Sequence, residues 1–225
     1  MLETFLSLFT GIIGFVTLGL MLRYYRSNPF CNLFLVIIIS IVSFRYFIHG
    51  SYILGLQSYI KPDKGLFSLL FLIIAPCFYL YYKHLTLQKK EYNPKDLKHI
   101  IFIIILYLIN SIDAIHDSAL FYFGPITNFF LIGIFLVFYI VLIFKLLSKE
   151  VWFRSNLLLV KDHFKLIKNW TITFFVINVL CSIIVLFSLY DEFNKGVLVS
   201  GKSMAPFLLI FWLIIFFKIL ISSEI

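Results

Sequence analysis

Five polar or ionisable residues lie inside stretches of the sequence that are otherwise strongly apolar. Arg45 and His49 are four residues apart, so they share one face of a helix. Asn110, Asp113 and His116 recur at steps of three in a later apolar stretch. Because burying an ionisable side chain in a bilayer costs at least about 2.5 kcal/mol, these residues mark a place where the chain needs polar chemistry.

The polar cluster formed by these five residues has two interpretations. Arg45 lies 14 residues past Cys31 and Asp113 lies 15 residues past Lys98, so helical rise puts both roughly 21–23 Å from the starts of their helices. In the first interpretation, Arg45 and Asp113 form a buried salt bridge that joins two helices, and the histidines only satisfy hydrogen bonds. In the second, the cluster lines an outward-open pocket that binds a small polar ligand or senses protons. Both interpretations stay open at this point.

Seven apolar runs position these residues, and each is about as long as a helix that crosses a bilayer. Apolar residues make up 62% of the chain and charged residues 13%, against about 45–50% and about 25% in soluble domains. The sequence therefore predicts an all-α integral membrane bundle of seven transmembrane helices, with no soluble domain. The predicted spans lie near residues 4–22, 31–50, 66–82, 98–117, 126–147, 169–190 and 205–222.

The basic residues between the spans predict the orientation of the bundle. The first, third and fifth loops hold most of the 19 Lys and Arg residues, and the fourth loop holds none. Cytoplasmic loops of membrane proteins carry an excess of these residues, so we expect the N-terminus outside and the C-terminus in the cytoplasm. The net charge of +8 then indicates contact with lipid headgroups and not with nucleic acid.

An amphipathic segment is predicted at residues 151–168, in the fifth loop. Its apolar residues recur at steps of four and three, and basic residues occupy the other faces. This pattern predicts a helix that lies on the cytoplasmic membrane surface or prolongs a neighbouring span inward. Such a helix would anchor the bundle at a fixed depth or couple it to a cytoplasmic partner. The predicted coupling surface comprises Phe153, Leu157, Val160, Phe164 and Ile167.

Signs of catalysis are few in this sequence. His116 and Asp117 are adjacent, so their side chains leave a helix in different directions and cannot form a general-base pair. Metal binding would have to use His49, His116 and Asp113, and no sequence motif of a hydrolase, phosphate loop or zinc site is present. We therefore expect no enzyme, no catalytic residue, no metal and no cofactor. Lys218, near the end of the last span, is expected to snorkel toward the headgroups.

Two short motifs flank the third loop. Residues 75–86 read APCFYLYYKHLT, and residues 95–100 read KDLKHI after an Asn-Pro pair that predicts a turn. Together with ISSEI at residues 221–225, they resemble the N-terminal multi-span sensor region of bacterial membrane-bound AraC-type helix-turn-helix transcriptional regulators. The sequence departs from that family at residues 101–106, where a proline often found in the family is missing.

The resemblance implies a function in signalling. It implies a module of the bacterial cytoplasmic membrane that senses an unknown small ligand or a membrane-state stimulus. The module would pass this stimulus to a cytoplasmic DNA-binding domain that is absent from this chain, so the chain itself would bind no nucleic acid. The resemblance also implies a homodimer, with the last span and the amphipathic segment carrying the change inward.

A small-solute transporter or channel-like bundle is the alternative to a sensor. Transporters often contain internal repeats and matched pairs of interrupted helices. An odd number of spans fits a simple repeat poorly, and Pro76 and Pro206 are the prolines nearest to span interiors. A membrane-embedded enzyme is the least supported of the three classes.

Overall fold

The computed structural model describes residues 2–23, 29–54, 64–87, 93–101, 103–104, 125–153, 161–195 and 205–221. These residues are helical apart from short turns, and no strand occurs among them. The all-α prediction is therefore confirmed for the described part of the chain.

Among the described residues, a 3-10 turn precedes one helix and a π-helical turn follows another. The long helices are α1 (Leu2–Arg23), α2 (Pro29–Ile53), α3 (Lys64–Leu87), α5 (Pro125–Leu147), α6 (Lys161–Lys195) and α7 (Ala205–Ile221). A 3-10 turn, Pro94–Leu97, leads into α4, which is described at residues 98–101 and 103–104. α5 passes directly into a π-helical turn, Ser148–Trp152.

Four of the described helices are long and apolar enough to cross a bilayer. Their candidate spans are Glu3–Arg23, Cys31–Ser51, Ile132–Trp152 and Lys165–Phe187. α7 contributes a shorter apolar stretch, Leu208–Leu220. These helices are typical of a membrane protein, because a helix needs about 20 predominantly apolar residues to cross the hydrocarbon core.

α3 lies at the centre of the bundle. Every residue from Ile74 to Tyr82 is buried except the half-buried Tyr79, and nine consecutive residues cover all faces of a helix. The Phe78 ring lies 4.9 Å from the Phe174 ring of α6 and 6.3 Å from the Trp212 ring of α7, and α3 also packs against α2 and α5. Between Ile74 and Tyr82, α3 is therefore enclosed by neighbouring helices.

α1 and α2 pack closely because glycines remove the side chains between them. A Cβ atom added to Gly11 would lie 2.9 Å from the backbone nitrogen of Phe47, and one added to Gly14 would lie 2.0 Å from the Ser43 hydroxyl. The small-residue face of α1 is therefore covered by α2. α7 packs on α1 and α6, so the last helix connects the two flanks of the bundle.

Antiparallel packing gathers the basic residues at one end, which we call the basic end. It comprises the C-terminal ends of α1, α3, α5 and α7 and the starts of α2, α4 and α6. Apart from Arg45, every Lys and Arg whose side chain the structure describes lies there. These residues are Arg23, Lys83, Lys95, Lys98, Lys145, Lys149, Lys165, Lys168 and Lys218. The start of α1 and the end of α2 form the opposite end.

Candidate functional site

The predicted polar cluster is only partly described. Arg45 is half-buried on α2, whereas Asn110, Asp113 and His116 lie outside the described residues, so the Arg45–Asp113 salt bridge stays a prediction. His49 Nε2 lies 3.4 Å from Glu3 Oε1 of α1. The sequence argument had not assigned this partner to His49, because it searched for partners inside the spans and not at their ends.

The structure describes only part of the predicted coupling surface, and its described side chains differ in exposure. Phe153 is 79% exposed, whereas Ile167 is half-buried and packs against the core. Phe164 lies in α6, but its side chain is not described, and Leu157 and Val160 lie outside the described residues. Residues 161–168 continue without a break into α6, so this half of the amphipathic segment prolongs the sixth helix.

A buried ion-pair cluster lies where α3 ends and α4 begins. Lys83 Nζ donates to one carboxylate oxygen of Asp96, and His84 Nε2 lies 3.2 Å from the other. The side chains of His84 and Asp96 are 5% and 6% exposed. A carboxylate this deeply buried needs partners for both oxygens, because an unpaired charge in such a place is strongly destabilising.

The turn before α4 fixes the direction of the Asp96 carboxylate. Asn93 has an extended backbone, and its side-chain oxygen accepts a hydrogen bond of 3.0 Å from the Lys95 amide. The Asp96 amide donates to the Asn93 carbonyl at 2.9 Å. Pro94 occupies the first position of the turn, where its missing N–H costs nothing. This capped turn holds Asp96 against the end of α3.

A second polar contact joins α3, α4 and α5. His99 Nδ1 lies 3.0 Å from the Tyr139 hydroxyl, and the Tyr79 ring lies 5.1 Å from the His99 imidazole. Tyr139 is buried and belongs to the middle of α5. The imidazole of His99 is therefore held between two tyrosines from different helices.

A third contact joins α3 to α6 and, through α6, to α7. Trp170 Nε1 donates to the Tyr81 hydroxyl at 2.7 Å, and Tyr81 and Trp170 are both buried. Lys218 Nζ lies 5.4 Å from the centre of the Trp170 ring and donates to the Thr173 hydroxyl at 3.1 Å. Lys218 thus turns toward α6, which differs from the expected snorkelling, because an aromatic face and a hydroxyl are within its reach.

The segment Tyr79–His84, which we call the hub, therefore contacts α2, α4, α5 and α6. Tyr79 contacts His99, Tyr81 contacts Trp170, and Lys83 and His84 bind Asp96. The His84 ring also stacks at 5.6 Å on Phe34 of α2. The Tyr82 hydroxyl is the exception, since it is buried with no hydrogen-bond partner among the described residues.

The basic groups of the hub are engaged with the carboxylate of Asp96. Both oxygens of Asp96 are engaged, so it could act as a base or a metal ligand only after its ion pairs break. Within the described residues, no group of three His, Cys, Asp or Glu side chains could hold a metal ion. The ion pair between Lys83 and Asp96 joins two consecutive helices. A contact of this kind can exist in a closed and an open state.

The sequence argument missed the members of this site. It counted Lys83 and Lys98 as loop cations and assigned no role to Asp96, His99 or Tyr139. A signal was nevertheless present, because the hub and the Asp96 turn coincide with the two motifs at residues 75–86 and 95–100. Two motifs that flank one loop are adjacent in an antiparallel helix pair, so a contact between them was foreseeable.

No protein-family model, curated protein or solved structure matches this chain.

Proposed function

We propose that the chain is the membrane-embedded sensor module of a bacterial AraC-type regulator, which passes a stimulus to a cytoplasmic DNA-binding domain. The observation that carries the proposal is the contact between the two motifs of the resemblance. Lys83 and His84 of the first motif bind Asp96 of the second. The two stretches that carry the resemblance therefore form one buried site.

The proposed topology has seven spans, with the N-terminus outside and the C-terminus in the cytoplasm of the bacterial inner membrane. Its support is the concentration of the described cations at the basic end, since positive residues accumulate on the cytoplasmic side. In this orientation the hub faces the cytoplasm, and α7 leads toward the DNA-binding domain.

The proposed mechanism uses the hub as the bistable element. A small ligand or a change in the membrane would favour one of two states of the bundle, in which the contacts of Asp96 with Lys83 and His84 are closed or open. The contacts from Tyr81 to Trp170 and from Trp170 to Lys218 provide a continuous physical route from α3 to α7. A stimulus that moves α3 would thereby change the position of α7.

The first test is the gene sequence that follows the codon for Ile225. An in-frame helix-turn-helix domain within about 150 residues, the size of one domain, supports the proposal. A stop codon at that point contradicts it and returns the transporter alternative to equal standing, to be tested by solute uptake into vesicles that contain the chain.

The second test is the topology. Green fluorescent protein and alkaline phosphatase are fused in turn after Ile225 and expressed in bacteria. We expect a fluorescent first fusion and an inactive second one, because the phosphatase needs the periplasm to fold. An active phosphatase fusion would contradict the proposed orientation, and with it the route to a cytoplasmic domain.

A further inference from the structure

The outward face of α5 is an apolar stripe that ends in lysines. Five exposed side chains follow one another at helical spacing along it, and Lys145 and Lys149 continue the face at the basic end. The Lys149 side chain is 83% exposed. The stripe consists of Ile134, Val137, Phe138, Val141 and Phe144.

The length of the stripe corresponds to one leaflet of a bilayer. From Ile134 to Lys145 an α-helix rises about 16 Å, which is about half of the 30 Å hydrocarbon core. An acyl chain lying along the stripe would therefore have its headgroup at the level of the two lysines. Neither lysine would have to be buried in hydrocarbon.

Aromatic rings form the floor between α5 and α6 at this level. The Trp152 ring lies 5.8 Å from Phe144 of α5 and 5.4 Å from Phe175 of α6. Trp152 Nε1 donates to the Thr171 hydroxyl at 3.3 Å, which fixes the indole. Tryptophan at this depth is typical of membrane interfaces, where the ring meets the acyl chains and its N–H meets polar groups.

The charge of this corner is positive. Lys168 Nζ donates to the Trp152 carbonyl at 3.1 Å, so a third ammonium group is held beside the indole. Glu150 lies 4.0 Å from Lys149 and compensates one of these charges. An anionic headgroup would balance the remaining positive charge. Each lysine near the membrane surface would raise the affinity for such a headgroup about fivefold.

We propose that this α5–α6 corner binds one anionic phospholipid, whose acyl chain lies along the α5 stripe and whose headgroup phosphate meets Lys145 and Lys149. The site is defined by Phe144, Lys145, Lys149, Trp152 and Lys168. Its existence requires insertion in a membrane and does not depend on the sensor function, so either proposal can fail without the other.

The test uses Trp152 as a built-in probe. Trp170 and Trp212 are buried, and Trp152 is half-buried at the proposed site, so lipid quenchers reach it first. The full chain is reconstituted in phosphatidylcholine vesicles that contain a small fraction of brominated phosphatidylglycerol or of brominated phosphatidylcholine. We expect stronger quenching by the brominated phosphatidylglycerol, and loss of that difference in the Trp152→Phe variant.

Two double variants distinguish a specific lipid site from a general attraction of anionic lipids to the basic end. Lys145→Gln with Lys149→Gln removes the proposed headgroup contacts, and Lys95→Gln with Lys98→Gln removes two exposed lysines of the same end beside α4. In the Lys145→Gln, Lys149→Gln variant we expect the two brominated lipids to quench tryptophan fluorescence equally. In the Lys95→Gln, Lys98→Gln variant we expect brominated phosphatidylglycerol to quench it more strongly, as in the native chain. Helical circular dichroism spectra verify that both variants remain folded.

Three results would overturn the proposal. The first is equal quenching by both brominated lipids in the native chain, and the second is a difference that persists in the Trp152→Phe variant. The third is an equal loss in the two double variants, because it would assign the preference to the whole basic end.

Discussion

The basic end and the opposite end of the bundle are held together by different kinds of contact. At the basic end, buried polar side chains of consecutive helices bind one another, as Asp96 does with Lys83 and His84. From the middle of α1 to the opposite end, α1 and α2 approach through glycines, and the contact between Glu3 and His49 is partly exposed.

This difference indicates where the bundle can switch. Buried polar contacts are strong when complete and costly when broken, so they favour discrete states. Close apolar packing instead resists any separation of two helices. The basic end is therefore suited to a change of state, and the α1–α2 pair to holding the bundle together.

The largest expected effect is at the hub. We expect Asp96→Asn to lower the free energy of unfolding by about 3 kcal/mol, because it leaves Lys83 and a buried His84 without their carboxylate. The measurement is unfolding by sodium dodecyl sulfate from dodecyl maltoside micelles, followed by circular dichroism. Lys95→Gln, one residue away and exposed, is the control. Equal losses in both variants would show that the buried contacts of Asp96 do not stabilise the basic end.

Gly11→Ala tests the packing of α1 on α2. The added Cβ would meet the backbone of Phe47 at 2.9 Å, so we expect a loss of about 2 kcal/mol as the helices separate. Gly19 has open space around its Cα, and Gly19→Ala should be neutral or stabilising, since alanine favours a helix. The same titration compares the two variants, and a loss at Gly19 as large as at Gly11 would contradict the packing argument.

Two adjacent tyrosines of the hub allow a hydroxyl that accepts a hydrogen bond to be compared with a buried hydroxyl that has no partner among the described residues. Tyr81→Phe leaves the buried N–H of Trp170 without an acceptor, and we expect a loss of about 1–2 kcal/mol. Tyr82→Phe removes a hydroxyl that has no partner among the described residues, so it should be neutral or stabilising. Unfolding titrations that gave the reverse order would show that the Trp170 bond contributes nothing.

The smallest effect is expected at the opposite end. His49→Gln removes the contact with Glu3, whose two side chains are 19% and 35% exposed, and partly exposed polar pairs contribute about 0.5 kcal/mol or less. A loss comparable to that of Asp96→Asn would mean that both ends depend on ion pairs, and the comparison between them would no longer hold.

The sequence predicted the helices better than their arrangement. Apolar runs located α1, α2 and α5 closely, and the Asn-Pro pair located the turn before α4. α6 begins at Lys161, eight residues before the predicted span, because half of the amphipathic segment prolongs the sixth helix, which was one of the arrangements expected for that segment.

The hub escaped prediction for a different reason. Hydrophobicity shows that a run is buried but not whether lipid or protein buries it, so the central position of α3 was not visible. Loop cations were counted to orient the bundle, and this count ignores the partner of each one. Lys83 contributed to the orientation while its bond to Asp96 went unnoticed.

The burial of α3 on all sides also sets how this protein can change in evolution. Each position from Ile74 to Tyr82 faces a neighbouring chain segment, so a substitution there must be matched by a change on the facing helix. The exposed stripe of α5 would meet acyl chains at the proposed lipid site, and acyl chains accept one apolar side chain as readily as another. Sequence drift should therefore accumulate on α5 and leave the middle of α3 almost unaltered.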